Sequence, residues 1–233
     1  QTITVTDNTF PLASAPTTID IECGNAAPLG ATTYAGFTGL GGTASDNCTA
    51  NASLVIAYTD GLLVGTDCSG TIARSYTITD ACGNTTTVVQ TITVTDNTFP
   101  LASAPTTIDI ECGNAAPLGA TTYAGFTGLG GTASDNCTAN ASLVIAYLDG
   151  PLVGTNCSGT IARSYTITDA CGNTTTVVQT ITVTDNTAPM VTTGTISACY
   201  DSQAAAEAAA IAATTGTDNC SPMVTKTAST VAS

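Results

Sequence analysis

Residues 71–95 read TIARSYTITDACGNTTTVVQTITVT, a stretch with two alternating segments joined by a turn. In a strand, successive side chains point to opposite faces, so residues two apart share a face. The residues that share a face are Ile72, Arg74, Tyr76 and Ile78 in the first segment and Val88, Ile92 and Val94 in the second. Because the intervening ACGN, residues 81–84, consists of turn-forming residues, the stretch predicts a β-hairpin.

The hairpin belongs to a repeat of 89 residues, because residues 1–89 align without a gap with residues 90–178. The two copies differ at three pairs of positions: Thr59 and Leu148, Leu62 and Pro151, and Asp67 and Asn156. This period is the size of a small domain with its own core and is too long for a solenoid coil. We expect four segments: 1–6 as the last strand of a preceding repeat, 7–95 and 96–184 as complete repeats, and 185–233 as the first half of a further repeat.

Two more stretches of each repeat alternate in the same way and predict further short strands. In the first repeat they are Thr17–Cys23 and Ser53–Thr59. In the third copy DSQAAAEAAAIAA, residues 201–213, predicts a short helix that Asp201 or Ser202 can cap. Many short strands within about 90 residues are typical of the immunoglobulin (Ig) sandwich. The sequence therefore predicts an all-β chain of tandem Ig-like β-sandwich domains, with a short helix in the third copy.

The charge composition narrows the classes of function. The chain has three basic residues, seventeen acidic residues, no His and a formal net charge of −14. Such a chain repels phosphate backbones, so we expect no nucleic-acid binding. No apolar run reaches the length of a transmembrane span. Since each full repeat has one Arg and no His, a Ser-His-Asp or Cys-His site cannot be assembled, and we expect no enzyme.

Arg74 and its copy Arg163 are expected to lie on a buried strand face. A charge on a buried face needs a partner of opposite sign. The sequence therefore predicts a structural ion pair, with Asp20 or Glu22 as the partner in the first repeat.

Ten cysteines in 233 residues indicate an oxidising compartment and a disulfide framework. The direction of the chain predicts Cys23 and Cys68 at one end of the repeat and Cys48 and Cys82 at the other. Thr71–Asp80 separates the two ends by about 33 Å, whereas bonded cysteines lie within about 7 Å. The predicted pairs are Cys23–Cys68, Cys48–Cys82, Cys112–Cys157 and Cys137–Cys171. The rival scheme pairs Cys23 with Cys48 and Cys68 with Cys82, and the third copy, with only Cys199 and Cys220, favours it.

The same reasoning places acidic and amide side chains from three loops at the end of the repeat where Asp7 lies. Calcium takes six to eight oxygen ligands, so the sequence predicts calcium sites at the junctions between repeats. The candidate ligands are Asp7, Asn8, Asp46, Asp80, Asn84, Asp96, Asn97, Asp135, Asp169, Asn173, Asp185 and Asp218. The alternative is that these residues only form turns, which Asp, Asn and Gly do without any metal.

The segment YTITDACGNTTTVVQTITVTDNTAP, residues 165–189, and the upstream ASDNC, residues 133–137, resemble the HYR (hyalin repeat) and related Ig-like repeats. These repeats occur in secreted surface adhesins and fibres of bacteria, especially Bacteroidetes. The resemblance implies an extracellular or cell-surface location and a role in stalk-like or adhesive arrays.

The sequence thus predicts a structural repeat of an extracellular fibre or adhesin stalk, whose partners are neighbouring repeats or identical subunits. Two alternatives remain open. One is a module that binds surface glycans through Tyr34–Gly42, a Gly-rich stretch predicted to be a loop or an irregular edge. The other is a polymerising subunit. In it, residues 1–6 of one subunit complete the third, partial repeat of another subunit by donor-strand addition.

Overall fold

The computed structural model describes residues 1–66, 68–155, 158–197, 199–221 and 223–229. The chain divides into two compact units. The first unit contains Gln1–Pro100, Ser134–Ser142 and Thr168–Asn173, and the second contains Leu101–Ala133, Leu143–Ile167 and Thr174–Ser233. The first unit therefore holds the first repeat together with two loops of the second repeat.

In its described residues, the first repeat forms six strands and one short helix. These are β1 (Leu12–Ser14), β2 (Ile19–Glu22), α1 (Tyr34–Gly39), β3 (Thr43–Ser45), β4 (Val55–Thr66), β5 (Ser69–Thr79) and β6 (Thr85–Thr95), with a 3-10 turn at Asn51–Ser53. The main sheet has the order β2-β6-β5-β4, and β1 pairs with β3 in a second, two-stranded sheet. Strand β2 runs parallel to β6, while β4, β5 and β6 pair antiparallel.

The second repeat forms the same elements in the same order. They are β7 (Leu101–Ser103), β8 (Ile108–Glu111), α2 (Tyr123–Gly128), β9 (Thr132–Ser134), β10 (Val144–Thr155), β11 (Ser158–Thr168) and β12 (Thr174–Thr184), with a 3-10 turn at Asn140–Ser142. The third copy adds β13 (Met190–Thr192), α3 (Gln203–Ala213) and β14 (Thr215–Thr217), and β13 pairs antiparallel with β14.

The predicted hairpin is confirmed, since β5 and β6 pair continuously from Ser69 with Thr95 to Thr79 with Thr85. Inward side chains of β5 and of the neighbouring β4 form the core of the first repeat with side chains from the small sheet and from α1, and Val88 of β6 packs against it. This core consists of Phe37, Ala44, Leu54, Ile56, Tyr76 and Ile78. Each complete repeat is therefore an Ig-like β-sandwich, as the alternation predicted.

The Gly-rich stretch is a helix where a loop or irregular edge was predicted. The hydroxyl of Thr33 accepts a hydrogen bond from the Gly36 N–H at 3.1 Å and caps the start of α1. At the other end Gly41 has a φ of 90°, and the Gly42 N–H donates to the Phe37 carbonyl at 3.1 Å. Two glycines in this arrangement form a Schellman motif, which terminates the helix.

The buried Arg74 was predicted correctly, but both of its predicted partners are wrong. Arg74 is 1% exposed, and its Nε and Nη2 donate to the two carboxylate oxygens of Asp60 at 2.6 and 2.8 Å. Asp60 lies opposite Arg74 in the β4–β5 ladder, which brings the two side chains together. Neither Asp20 nor Glu22 holds this position. Arg163 makes the same pair with Asp149 in the second repeat.

The short helix of the third copy is confirmed as α3, and its cap is Ser202, whose hydroxyl accepts from the Ala205 N–H at 3.2 Å. In the described part of the chain, no helix is both long enough and apolar enough to cross a membrane. Residues 1–6 are exposed and belong to neither a strand nor a helix, so their assignment to a preceding repeat stays a prediction.

Candidate functional site: acidic clusters and disulfide-bonded turns

The SDNC motif folds into a turn that its own aspartate holds. Asp46 Oδ2 accepts hydrogen bonds from the backbone N–H groups of Cys48 and Thr49, at 2.9 and 2.8 Å. Short Asp side chains commonly bond the backbone two and three residues further on in this way. Asp135 and Asp218 form the same turn around Cys137 and Cys220. The structure therefore contains three copies of an Asp-Asn-Cys turn.

The DACGN motif folds around Asp80 in a similar manner. Asp80 Oδ1 accepts from the N–H groups of Cys82 and Asn84, both at 2.8 Å. The Asn84 side chain donates to Asp80 Oδ2 at 2.7 Å and to the Asp7 carbonyl at 3.2 Å. Burial raises the pKa of Asp80, but these hydrogen bonds outweigh it and hold that pKa below its usual range. The turn thus keeps an ionised carboxylate beside Asp7.

The first acidic cluster contains Asp7, Asp46 and Asp80, as the direction of the chain predicted. One carboxylate oxygen from each of the three lies within 4.8 Å of the others. Asp7 Oδ2 and Asp46 Oδ1 are buried and have no hydrogen-bond partner. Unpartnered buried oxygens are rare in proteins and are what a bound cation would satisfy.

The second acidic cluster is also in the first unit and contains Asp96, Asp135 and Asp169. A carboxylate oxygen of Asp96 lies within 4.8 Å of a carboxylate oxygen of Asp135. The same holds between Asp96 and Asp169. Asp96 and Asp169 are 6% and 3% exposed, and Asp96 Oδ2 and Asp135 Oδ1 have no hydrogen-bond partner. Burial, followed by the negative charge of Asp135, raises the pKa of Asp96. The ionised form of Asp96 is therefore disfavoured until a cation neutralises it.

Glu22 and Glu111 join these sites, although sequence reasoning did not propose them as ligands. Glu22 Oε1 accepts from the Thr98 hydroxyl at 2.8 Å and from the Asn97 N–H at 2.9 Å. These two hydrogen bonds lower the pKa of Glu22, and the bond from Thr98 has the larger effect. In the second unit, Glu111 lies within 4.8 Å of Asp185. The signal that could have revealed both residues is their place immediately before a cysteine at the end of a strand.

Of the remaining predicted ligands, Asn173 lies at an acidic cluster, whereas Asn97, Asp218 and Asn8 have other surroundings. Asn173 donates to Asp169 and to the Asp96 carbonyl, so it lies at the second cluster as predicted. Asn97 directs its amide to the Thr95 hydroxyl. Asp218 Oδ1 accepts from the N–H groups of Cys220 and Ser221, so it builds a turn. Asn8 is exposed.

The predicted disulfide pairs are wrong, and so is the rival scheme. Bonds join Cys23 to Cys137 and Cys68 to Cys171 in the first unit, and Cys112 to Cys220 in the second unit, with Cα–Cα distances of 5.8, 5.1 and 5.7 Å. Each bond thus joins one repeat to a turn of the next. The predicted partner Cys157 lies outside the described residues.

Cys23 and Cys68 nevertheless lie at the same end of the first repeat, as the direction of the chain predicted. The Cys23 N–H donates to the Thr95 carbonyl, and Ser69, next to Cys68, pairs with Thr95. Both cysteines therefore lie near Thr95, where the second repeat begins. They bond cysteines of that repeat instead of each other.

Three cysteines, Cys48, Cys82 and Cys199, are exposed free thiols in the described part of the chain. Desolvation, followed by the negative charges of Asp7 and Asp46, raises the pKa of Cys48. The thiol of Cys48 is therefore mostly protonated near neutral pH.

No family model matches the sequence, and no curated protein matches it. Among solved structures, the chain is similar to the Protocadherin Gamma B2 extracellular cadherin domains 3-6, with a TM-score of 0.35 and 10% identity over 76% of this chain and 52% of that one. It is also similar to the Protocadherin Gamma B7 extracellular cadherin domains 1-4, with a TM-score of 0.30 and 11% identity over 82% of this chain and 55% of that one. The chain spans about half the length of these structures.

Proposed function

We propose that this chain is a structural repeat array of an extracellular fibre or adhesin stalk. The observation that carries the proposal is that the disulfides run from one repeat to the next. Each complete repeat already has its own buried core, so a covalent link to its neighbour adds resistance to separation and to bending. Disulfides persist in oxidising compartments, which supports a location outside the cell, at the cell surface.

We further propose that calcium rigidifies the links between repeats. The residues that would hold it are Asp7, Asp46 and Asp80 in one cluster, Asp96, Asp135 and Asp169 in the second, and Glu111 with Asp185 in the third. These donors are all carboxylate oxygens, which calcium prefers. The sulfurs of Cys137, Cys171 and Cys220 near these clusters are bonded in disulfides, so they are not available as thiolate ligands for a softer metal.

An enzymatic role has no support, since the chain has no His and its two repeat arginines are engaged with aspartates. The glycan-binding alternative rested on the prediction that Tyr34–Gly42 is a loop or an irregular edge. That segment contains α1, whose Phe37 is fully buried in the core. We therefore favour neighbouring repeats and identical subunits as the partners.

Immunogold electron microscopy of intact cells that produce the protein tests the fibre proposal. With an antibody raised against residues 1–233, we expect labelled threads that extend from the cell surface. A chelator added to the sample should make the threads bend more sharply, because it removes calcium from the junctions. Gold confined to the cell interior would overturn the proposal.

A further inference from the structure

Carboxylate groups lie beside one sulfur of each of the three disulfides that the described residues form. In each case, the sulfur and one oxygen from each of two carboxylates all lie within 4.8 Å of one another. The groups are Cys137 with Asp96 and Asp135, Cys171 with Asp96 and Asp169, and Cys220 with Glu111 and Asp185. Acidic side chains therefore accompany each of these covalent links between repeats.

The spacing of the two turn motifs explains this arrangement in the first unit, since an aspartate stands two residues before the cysteine in both SDNC and DACGN. Asp135 Oδ2 accepts a hydrogen bond from the Cys137 N–H at 2.9 Å. Asp169 Oδ1 accepts one from the Cys171 N–H at 2.8 Å. The turn that presents each sulfur thus also holds a carboxylate next to it.

In the bond between Cys23 and Cys137, the more accessible cysteine is the one beside the carboxylates. Cys23 is 8% exposed, whereas Cys137 is half-buried. A disulfide is reduced when a thiolate attacks one of its sulfurs, so the thiolate has to approach the sulfur that Asp96 and Asp135 flank. Two like charges about 4 Å apart in water repel each other strongly enough to slow such a step about five-fold.

We propose that the acidic clusters protect the disulfides between repeats from reduction by anionic thiols. Asp135 and Asp169 each act on the disulfide of the cysteine two residues further on, and Asp96 acts on both disulfides. A calcium ion carries two positive charges and three carboxylates carry three negative charges, so an occupied cluster stays negative. This role therefore goes beyond the proposed function and does not depend on calcium.

The step that the carboxylates slow is thiol–disulfide exchange. A thiolate attacks the sulfur of Cys137 and bonds to it, the bond to Cys23 breaks, and the electron pair leaves on Cys23 as a thiolate. A second thiolate then attacks the mixed disulfide and releases Cys137. Two molecules of the small thiol are oxidised to its disulfide, and the two cysteines are reduced.

The dependence of the reduction rate on the charge of the thiol tests the proposal. The probes are 2-aminoethanethiol, 2-mercaptoethanol and 3-mercaptopropionate, whose thiolate forms are respectively neutral overall, singly negative and doubly negative. The purified chain is treated with each thiol in chelator at low salt, and the thiols that form are alkylated. Mass spectrometry then reports how fast each disulfide opens.

Asp135→Asn removes the charge beside Cys137 but keeps an oxygen that can accept from the Cys137 N–H. We expect this variant to speed the opening of the bond between Cys23 and Cys137 by 3-mercaptopropionate about five-fold. The rate with 2-aminoethanethiol should change little, because its thiolate carries no net charge. The ratio of the variant rate to the parent rate for one thiol cancels that thiol's own reactivity.

Asp169→Asn is the matched variant, because Asp169 lies beside the other disulfide of the first unit. It should speed the opening of the bond between Cys68 and Cys171 by 3-mercaptopropionate more than it affects the first bond. Asp20→Asn, at an exposed strand position, removes one charge far along the sequence from either motif and is the control for net charge. It should change neither rate.

Equal acceleration with all three thiols would mean that the substitutions only loosen the turns, and it would overturn the inference. So would variants that affect both disulfides equally or leave both rates unchanged. Circular dichroism checks that the variants fold like the parent chain. If they do not, sodium chloride provides a test on the parent chain, since it screens charges and should speed reduction by 3-mercaptopropionate more than by 2-aminoethanethiol.

An equal effect of salt on the two thiols would likewise overturn the inference. None of these outcomes affects the surface labelling that tests the fibre proposal, so the two can fail separately.

Discussion

At the scale of single residues, Asp96 is where the calcium proposal can be tested most directly. Its carboxylate is buried beside Asp135, and one of its oxygens has no hydrogen-bond partner. We expect Asp96→Asn to stabilise the chain in chelator, because it removes a buried charge. The same change should reduce the stabilisation by calcium. For one site, a calcium concentration of about 100 times the Kd raises the free energy of unfolding by about 2.7 kcal/mol. Thermal unfolding with calcium and with chelator measures both effects.

The pH dependence of the calcium-free chain gives an independent check on the same residue. Burial raises the pKa of Asp96 in the folded chain above its unfolded value. Its contribution to stability is therefore fully present below the unfolded pKa and is lost as the pH rises through the folded pKa. Asp20→Asn, at an exposed strand position, is the control and should not change the calcium response. Equal behaviour of the two variants would contradict the assignment.

Asp60 is the second residue with a testable role, since it is the partner of the buried Arg74. Asp60→Asn leaves that charge with a neutral partner, and we expect a loss of about 2 kcal/mol. Arg74 lowers the pKa of Asp60. The stabilisation is therefore present above the ordinary pKa of an aspartate and is lost as the pH falls through the lower folded value.

Urea unfolding measures this loss, and the second repeat supplies an internal replicate. Asp149→Asn should cost the same, because Asp149 pairs with Arg163 in the same way. Thr59→Leu is the control, since the second repeat has Leu148 at the matching position, and it should change stability by less than about 0.5 kcal/mol. A loss for Thr59→Leu as large as that for Asp60→Asn would contradict the argument.

The sequence predicted the burial of Arg74 because a strand alternates with a period of two. It did not predict Asp60, because the partner depends on the register between β4 and β5, which shifts between Asp60 and Leu63. A bulge of this kind changes which residues face each other, and its place is not visible in a pattern of alternation.

At the scale of elements, the end of α1 is held by close packing. A Cβ on Gly42 would lie 2.6 Å from the ring of Phe37, which is fully buried. We expect Gly42→Ala to destabilise the chain by about 1–3 kcal/mol, because the ring cannot move without disturbing the core. Urea unfolding measures the effect.

Gly39→Ala is the matched control in the same helix. A Cβ at Gly39 would meet no atom within 4 Å, and alanine favours a helix over glycine by up to about 1 kcal/mol. Gly39→Ala should therefore be neutral or stabilising. The packing argument fails if both substitutions destabilise the chain equally.

Helix α3 was predictable and α1 was not, for a physical reason. Gln203–Ala213 is rich in alanine, which favours a helix wherever the segment packs. Tyr34–Gly39 contains two glycines, and it is helical because Phe37 anchors it in the core and because Thr33 and the Gly41–Gly42 pair cap its ends. Tertiary packing here overrides a weak local propensity.

At the scale of the whole molecule, the disulfides between repeats should dominate stability. The bonded pair Cys23 and Cys137 is separated by 114 residues. Chain-entropy arguments give about 4.7 kcal/mol for a closed loop of about 100 residues. We expect the double variant Cys23→Ala with Cys137→Ala to lose stability of that order in urea unfolding.

Cys82→Ala is the control for this experiment, since Cys82 is a free thiol. It should leave the urea midpoint unchanged. Peptide mapping of the unreduced parent chain should also find Cys23 linked to Cys137 and Cys68 linked to Cys171. Linked peptides that join Cys23 to Cys68 would restore the pairing expected within one repeat and would contradict the proposed role of these bonds.

The sequence by itself determined the 89-residue period, the strands of the hairpin, the all-β class, and the ends of the repeat at which Cys23, Cys68 and the cluster of Asp7, Asp46 and Asp80 lie. These follow from local rules, namely the alternation of side chains in a strand and the reversal of the chain at each turn. Only the tertiary structure decided which thiols bond and which carboxylates share a site. Cys23 and Cys68 lie at the same end, but a bond depends on distances across packed surfaces, and no local pattern of residues encodes those distances.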